Sequence, residues 1–162
     1  MDEFLEGAGN VTHNHSHCVG DAMTKAERLC ASSGARFTAL RRRVLELVWS
    51  SHQSVKAYDL LDDLRLSDPS AKPATVYRAL DFLLEQGLIH RVESLNAFVG
   101  CRHPDKVHQS LLLICTNCHV VEERSADGVM KALEAELDAL CFSPRRRLLE
   151  IYGLCSECSN GF

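Results

Sequence analysis

Two cysteine pairs near the end of the chain are the residues with the clearest chemistry. Cys115 and Cys118 form one Cys-x-x-Cys motif, and Cys155 and Cys158 form a second. A spacing of two residues lets both sulfur atoms converge on one metal ion, and a second pair completes a tetrahedral set of four thiolates. Unconnected buried cysteines are the alternative. The recurrence of the motif at both ends of one compact segment favours a structural zinc site without an open position.

A second group of possible metal ligands is scattered over the middle of the chain. His90, Cys101 and His108 precede the first cysteine pair, and Glu122 and Glu123 follow it. Two imidazoles, a thiolate and a carboxylate are a suitable tetrahedral set for zinc, and a closed site of this kind would fix an angle between two domains. The spacing alone favours the alternative, in which the histidines lie on the surface and the cysteine is a small buried thiol.

The segment that begins at Pro73 predicts a helix with one apolar face and one face suited to DNA. Its apolar stripe consists of four residues: Val76, Ala79, Leu80 and Leu83. Arg78 lies on the opposite side, Thr75 and Tyr77 lie on the flanks, and Lys72 stands at the helix start. A guanidinium can bind guanine through two hydrogen bonds, and hydroxyl groups and a helix N-terminus can bind phosphate. An amphipathic helix with a solvated arginine is the alternative.

The elements around this helix favour DNA binding, because they have the order of a winged helix-turn-helix. Apolar residues recur with helical spacing over 22–33, in a segment capped by Thr38, over 57–66 and over 73–86. Two β-like runs, 88–93 and 97–101, then predict a hairpin. We therefore assign residues 21–101 to a winged-helix DNA-binding domain, and residues 1–20, which show no sustained apolar period, to a flexible tail.

The remaining residues, 105–162, predict a second, α/β domain that carries the cysteine pairs, so the whole chain is of the α+β class. Strands are expected at 111–115, 120–124 and 146–154, and a helix at 127–140. The predicted buried face of that helix consists of Met130, Leu133, Leu137 and Leu140. A metal ion bound by both cysteine pairs would join the start of this domain to its end.

Composition limits the function further. The chain has 162 residues, a net charge of −4 and eight cysteines. It shows no apolar run of membrane-spanning length and no secretory signal, so we expect a cytoplasmic protein whose cysteines are metal ligands or buried thiols. The charge predicts no general affinity for polyanions, although three consecutive basic residues, Arg41 to Arg43, show that charge can be local. No catalytic triad, phosphate loop or acid pair indicates an enzyme or a small-molecule substrate.

The run KPATVYRALDFLLEQG, from Lys72 to Gly87, resembles the recognition helix of ferric-uptake-regulator (Fur) proteins. Together with residues 89–94 it is most similar to the zinc-uptake regulators within that family. The resemblance covers about residues 22–158 and includes His90, Cys101 and both cysteine pairs. It implies a homodimer in which the C-terminal α/β domain is the dimerisation domain. It also implies a repressor that binds operator DNA when loaded with zinc and so represses zinc-acquisition genes.

The resemblance also implies roles for particular residues. Two zinc ions per monomer are expected: a structural ion on Cys115, Cys118, Cys155 and Cys158, and a regulatory ion on His90, Cys101, His108 and Glu122. The DNA contacts are expected from Tyr77 and Arg78, together with Thr75 and Lys72. His103 and Glu123 remain open as alternatives to His108 and Glu122.

Three questions stay open at the level of sequence. A Fur-family regulator that responds to iron or peroxide is the nearest alternative function. A thiol redox protein is a more distant one, because Cys-x-x-Cys motifs also serve redox chemistry. The group His13, His15, His17 and Cys18 could bind a metal weakly, although a histidine-rich flexible tail is the favoured interpretation.

Overall fold

The computed structural model describes residues 15–106, 110–145 and 147–160, with side chains from His17 onward. A helical N-terminal half and a two-stranded wing are followed by a C-terminal half built on a three-stranded sheet. The α+β class predicted from the sequence is therefore confirmed. Among the described residues, no helix combines the length and the apolar character needed to span a bilayer.

Four helices form the N-terminal half: α1 (His15–Ser33), α2 (Ala39–Val48), α3 (Ala57–Ser67) and α4 (Pro73–Glu85). Local signals set three of the boundaries. The Thr38 hydroxyl accepts a hydrogen bond from the Arg41 N–H and caps α2, Pro73 occupies the first turn of α4, and Gly87 takes a positive φ of 66° just beyond its end. The helices surround one core, in which Leu45, Leu60, Leu80 and Leu83 are fully buried.

Helix α1 begins earlier than the sequence predicts. Residues 15–20 belong to the helix rather than to a flexible tail, because Cys18 and Val19 pack against the N-terminal core. Tertiary packing here outweighs the weak helical preference of histidine and glycine. The rest of the predicted tail, including His13, lies outside the described residues.

The wing and the C-terminal sheet are separate in sequence but packed together. The wing pairs β1 (Ile89–Val92) antiparallel with β2 (Ala97–Gly100). In the sheet, β3 (Ser110–Cys115) lies between an antiparallel β4 (Val121–Ser125) and a parallel β5 (Leu149–Gly153). Helices α5 (Asp127–Ala139) and α6 (Ser156–Ser159) complete the C-terminal half.

A second apolar cluster joins the two halves. Its members come from the wing and from the sheet: Val92, Val99, Leu112, Ile114 and Val121. The segment after α2 also reaches the sheet, since the Val121 N–H donates to the His52 carbonyl (3.2 Å) and the Gln53 side-chain amide donates to the Cys118 carbonyl (2.9 Å). Strand β4 is thereby placed beside the wing.

The predicted buried face of α5 is only partly buried in the single chain. Met130 is buried, Leu133 and Leu137 are half-buried, and Leu140 is 75% exposed. Exposed apolar residues recur nearby, on and beside the outer strand β5: Phe142, Leu148, Ile151, Tyr152 and Leu154. The prediction for Leu140 is wrong for the isolated protomer, because no element within residues 15–106, 110–145 and 147–160 covers that end of the helix.

Candidate metal centres and DNA-binding face

The four cysteines of the two Cys-x-x-Cys motifs meet in one cluster. Cys115 ends β3, Cys118 lies in the turn before β4, and Cys155 and Cys158 lie at the start and within α6. Their sulfur atoms all lie within 4.8 Å of one another, and those of Cys118 and Cys155 are 3.7 Å apart. Zinc–sulfur bonds of about 2.3 Å in a tetrahedron place neighbouring sulfurs about 3.8 Å apart. The donor set therefore has both the chemistry and the spacing of a four-thiolate zinc site.

The thiols of this cluster do not ionise equally. Hydrogen bonds from the N–H groups of Cys118 and Cys155 lower the pKa of Cys115 to about 6. The Val120 N–H favours the Cys118 thiolate, but hydrogen bonding with Cys115 and burial outweigh it and raise the pKa of Cys118 to about 12. Cys115 thus ionises readily whereas Cys118 keeps its proton, which a bound cation would displace.

A second cluster forms where the wing meets the C-terminal sheet. His90 of β1, Cys101 just beyond β2 and Glu123 of β4 place one ligand atom each within 4.8 Å of one another. The His90 Nε2 lies 2.8 Å from the Glu123 Oε1, and the Cys101 Sγ lies 3.9 Å from the same oxygen. A nitrogen, a sulfur and a carboxylate oxygen at these distances are three of the four ligands that a closed zinc site requires.

The carboxylate of Glu123 is the centre of this cluster. Burial opposes its ionisation, but hydrogen bonds from His90, from the Ser110 hydroxyl (2.6 Å) and from the Arg102 N–H (2.9 Å) more than compensate and hold its pKa well below the usual range. The same charge acts on its neighbour. Burial and the nearby Glu123 carboxylate together raise the pKa of Cys101 to about 12.

The structure brings Glu123, the alternative to Glu122 in the sequence prediction, into this group. Neighbouring strand residues point to opposite faces. Glu123 is therefore buried toward the wing, whereas Glu122 faces the other way and pairs with Arg124. His103 is exposed and does not belong to the cluster. His108 lies outside the described residues, and its role stays a prediction.

Ser110 also contacts the residues of this cluster, although the sequence does not indicate it as a site residue. Its hydroxyl donates to the Glu123 Oε1 and also lies 3.4 Å from the His90 Nε2. A serine at the start of a strand carries no sequence signal for this role. Only the antiparallel pairing of β3 with β4 brings it to the cluster.

The predicted DNA-reading side of α4 is open to solvent. Arg78 and Lys72 are exposed, Tyr77 is 42% exposed, and Thr75 is half-buried, while the opposite stripe packs into the core. The nearby basic run is partly engaged within the protein, because Arg41 stacks on the Phe82 ring with its guanidinium carbon 3.6 Å from the centroid. The exposed cationic side chains of this region include Lys72, at the start of α4, and Arg78.

Among the three histidines of the histidine-rich segment, only His17 has a described side chain. Its Nδ1 lies 3.0 Å from the Asp21 Oδ2 on the exposed side of α1. No group of three possible metal ligands includes His17 within the described part of the chain.

The profile of the ferric uptake regulator family matches residues 32–152. The zinc uptake regulation protein of Escherichia coli is 43% identical over 139 residues, which cover 85% of this chain and 81% of that protein. A solved structure described as a zinc uptake regulator complexed with zinc and DNA is 42% identical. It superposes with a TM-score of 0.83 over 88% of this chain and 96% of that one.

A further relative, XcZur, has been solved in two forms. The holo form is 42% identical and gives a TM-score of 0.78 over 86% of this chain and 98% of that one. The apo form is 41% identical and gives only 0.53 over 88% and 99%. Because the sequences are equally distant, the difference between the scores reflects conformation. The present structure has the arrangement closer to the holo form.

Proposed function

The chain belongs to the ferric uptake regulator family, and from that premise we propose that it is a zinc-responsive repressor. It binds operator DNA as a zinc-loaded homodimer and turns off genes for zinc uptake. It acts in the cytoplasm, as a regulator without catalytic activity. The similarity to a zinc uptake regulator solved with zinc and DNA supports this function over an iron- or peroxide-responsive one.

The observation that carries the proposal is the position of the second cluster. His90 and Cys101 come from the two strands of the wing at its base, and Glu123 comes from the sheet of the other half. An ion held by all three would tie the DNA-binding half to the C-terminal half. A cysteine in the set favours zinc over iron(II), because thiolate and imidazole together suit zinc. His108, which precedes β3 in the sequence, is the proposed fourth ligand.

We propose that residues 21–101 are the DNA-binding domain and that residues 105–162 are the dimerisation and metal-binding domain. Strand β5 is an outer strand with an unpaired edge, and the exposed apolar residues from Leu140 to Leu154 lie beside it. An open strand edge with apolar neighbours is a surface that a second copy would cover. The four-cysteine site would join the end of β3 to the residues that follow β5. It would thereby fix the position of β5 and of the apolar residues beside it.

The regulatory cluster would act through its own residues. In this structure His90 and Ser110 both lie within hydrogen-bond distance of Glu123, and burial beside that carboxylate favours the protonated Cys101 thiol by raising its pKa. Zinc would supply the cation that the Glu123 carboxylate, the His90 imidazole and the Cys101 thiolate could share. With that charge present the wing is held against the sheet, which sets the distance between the two α4 helices of a dimer. Both helices can then enter major grooves one helical turn or a multiple of it apart.

In this account α4 makes the DNA contacts. Arg78 reads a base edge, Tyr77 and Thr75 reach the backbone or a thymine methyl group, and Lys72 binds phosphate at the helix start. Replacing Arg78 with alanine should weaken specific binding by about 1–3 kcal/mol and lower the ratio of specific to non-specific affinity. Arg147→Ala, which removes a cation paired with Glu134 in the other half, is the matched control. An unchanged specificity ratio in Arg78→Ala would remove this residue from the base-reading set.

The proposed function is tested by a DNA mobility assay at fixed salt, with free zinc, iron(II) or manganese(II) buffered over a wide range. The operator is first isolated by selection from random sequences with the zinc-loaded protein. We expect tight binding with zinc at the lowest free concentrations. Equal or better binding with iron(II) would assign the chain to the iron-responsive members. Binding lost on mild oxidation with no metal released would assign it to thiol redox chemistry.

A further inference from the structure

The end of the wing packs unusually closely against the only tryptophan of the chain. Gly100 is the last residue of β2 and directly precedes Cys101. A Cβ atom at Gly100 would lie 2.2 Å from the Cε2 of Trp49, 2.4 Å from its Nε1 and 2.7 Å from its Cδ2. These distances are far below van der Waals contact, so the indole occupies the space that any side chain would need. Glycine in a strand commonly marks such a close approach.

Trp49 is at the same time the end of α2. It is the C-cap residue, its N–H donates to the Leu45 carbonyl (3.0 Å), and only 8% of it is exposed. Helix α2 packs against α4, the proposed DNA-reading helix. A displacement of the indole therefore moves the end of a helix that supports α4.

The indole also borders two cavities that residues of the regulatory cluster help to line. On one side it lines a cavity of about 160 Å³ together with Cys18, Lys25, His52 and Cys101. On another side it lines a smaller cavity with Val99, Val121 and Glu123. Two of the three cluster residues thus border the space around one side chain, and the larger cavity leaves that side chain room to move.

We propose that Trp49 and Gly100 are positioning residues that couple the regulatory cluster to α2 and α4. Neither is a metal ligand. When Cys101 is held by the cluster, the adjacent Gly100 is fixed against the indole, and the indole fixes the end of α2. When Cys101 is released, Gly100 and Trp49 can shift together into the neighbouring space. This inference rests on the proposed function and names the contact through which zinc would act on DNA binding.

The first test uses Trp49 as its own reporter. We expect its fluorescence emission to change as the regulatory site fills during a zinc titration, and the change to be absent in Cys101→Ser. Emission that does not respond to zinc in the wild type would overturn the inference, and so would an unchanged response in Cys101→Ser. This measurement needs no substitution in the tryptophan contact itself.

The second test measures the ratio of operator affinity with and without zinc, because a purely structural role would leave that ratio unchanged. Gly100→Ala displaces the indole and should reduce the zinc-dependent gain about 3- to 30-fold while both zinc ions still bind. Trp49→Phe should reduce the gain less. The double variant should be no worse than Trp49→Phe alone, because the smaller ring leaves room for the added methyl group. Gly128→Ala, where a Cβ meets nothing within 4 Å, is the control.

The outcomes separate this inference from the proposed function. If the wild type gains no affinity for DNA with zinc, the proposed function fails. If the wild type gains affinity and Gly100→Ala keeps the full gain, only the coupling fails. Additive losses in the double variant would also overturn it. Should Gly100→Ala not fold, Trp49→Phe decides: a full zinc-dependent gain in that variant rejects the coupling.

Discussion

The two metal clusters differ in where their ligands come from. The four cysteines of the first cluster all belong to the C-terminal half, and their sulfur atoms lie within 4.8 Å of one another. The second cluster takes two residues from the wing and one from the sheet, and these residues are hydrogen-bonded to each other. A cluster within one half can stabilise that half whatever the other half does. A cluster shared by both halves forms only when the two halves lie in one particular arrangement, so a metal bound there would stabilise that arrangement.

The largest effect should follow from Cys115→Ser. Structural zinc sites contribute on the order of 10 kcal/mol, and a small C-terminal half without it has little core of its own. We expect loss of cooperative unfolding in that half and loss of the dimer, measured by calorimetry and sedimentation. Cys141→Ser, which removes an exposed cysteine outside both clusters, should behave as wild type. A dimeric Cys115→Ser protein with an unchanged melting temperature would remove the structural role.

Cys101→Ser should have the opposite pattern. The protein should stay folded and dimeric with one zinc ion retained, because Cys101 is not part of the four-cysteine cluster. The zinc-dependent gain in operator affinity should disappear, a loss of about 5- to 150-fold for a typical coupling of this kind. Mobility assays measure the operator affinity, and sedimentation of the same samples measures the oligomeric state. A monomeric or unfolded variant would place Cys101 in the scaffold instead.

The pair Glu123→Gln and Glu122→Gln sharpens the composition of the second cluster. Glu123→Gln removes the charge shared by His90 and Cys101, so the affinity for the regulatory zinc should fall by about tenfold or more. Glu122→Gln changes a side chain on the other face of the same strand and should leave that affinity within about twofold. Competition with a zinc-binding dye measures both. The reverse ranking would restore the assignment to Glu122.

The last expected effect is a dependence of the regulatory zinc affinity on pH. Burial and the Glu123 carboxylate raise the pKa of Cys101 to about 12, so the thiol is protonated at neutral pH. Zinc must displace that proton, and apparent affinity should therefore rise as pH increases, by about tenfold per unit for this one proton. Calorimetry in buffers of different ionisation enthalpy counts the protons released. Cys101→Ser should release about one fewer, and an equal count would exclude Cys101 as a ligand.

Much of the fold could be predicted from the sequence because its signals are local. Thr38, Pro73 and Gly87 mark helix ends through their own conformational preferences, and the structure confirms them. The four-cysteine cluster was predictable for the same reason, since each pair lies within one turn. The choice between Glu122 and Glu123 could not be made from the sequence, because counting along a strand does not fix which of two neighbouring residues faces the wing.

Two other features depend on packing that no short segment contains. Helix α1 starts at His15 because Cys18 and Val19 find a core built by later helices. The end of α5 is apolar yet exposed at Leu140, which agrees with a face reserved for a second copy. In both places the sequence shows apolar residues, but a short segment does not indicate which other part of the protein, or which second copy, packs against them.

The central claim is that one zinc ion holds the scaffold and the other controls DNA binding. The most direct measurement is a stepwise chelator titration of the zinc-loaded dimer, following zinc content, oligomeric state and operator binding together. We predict that about one zinc ion per protomer leaves first and takes operator binding with it, while the other ion and the dimer remain. Loss of both ions in a single step, or operator binding that survives until the dimer dissociates, would contradict this account.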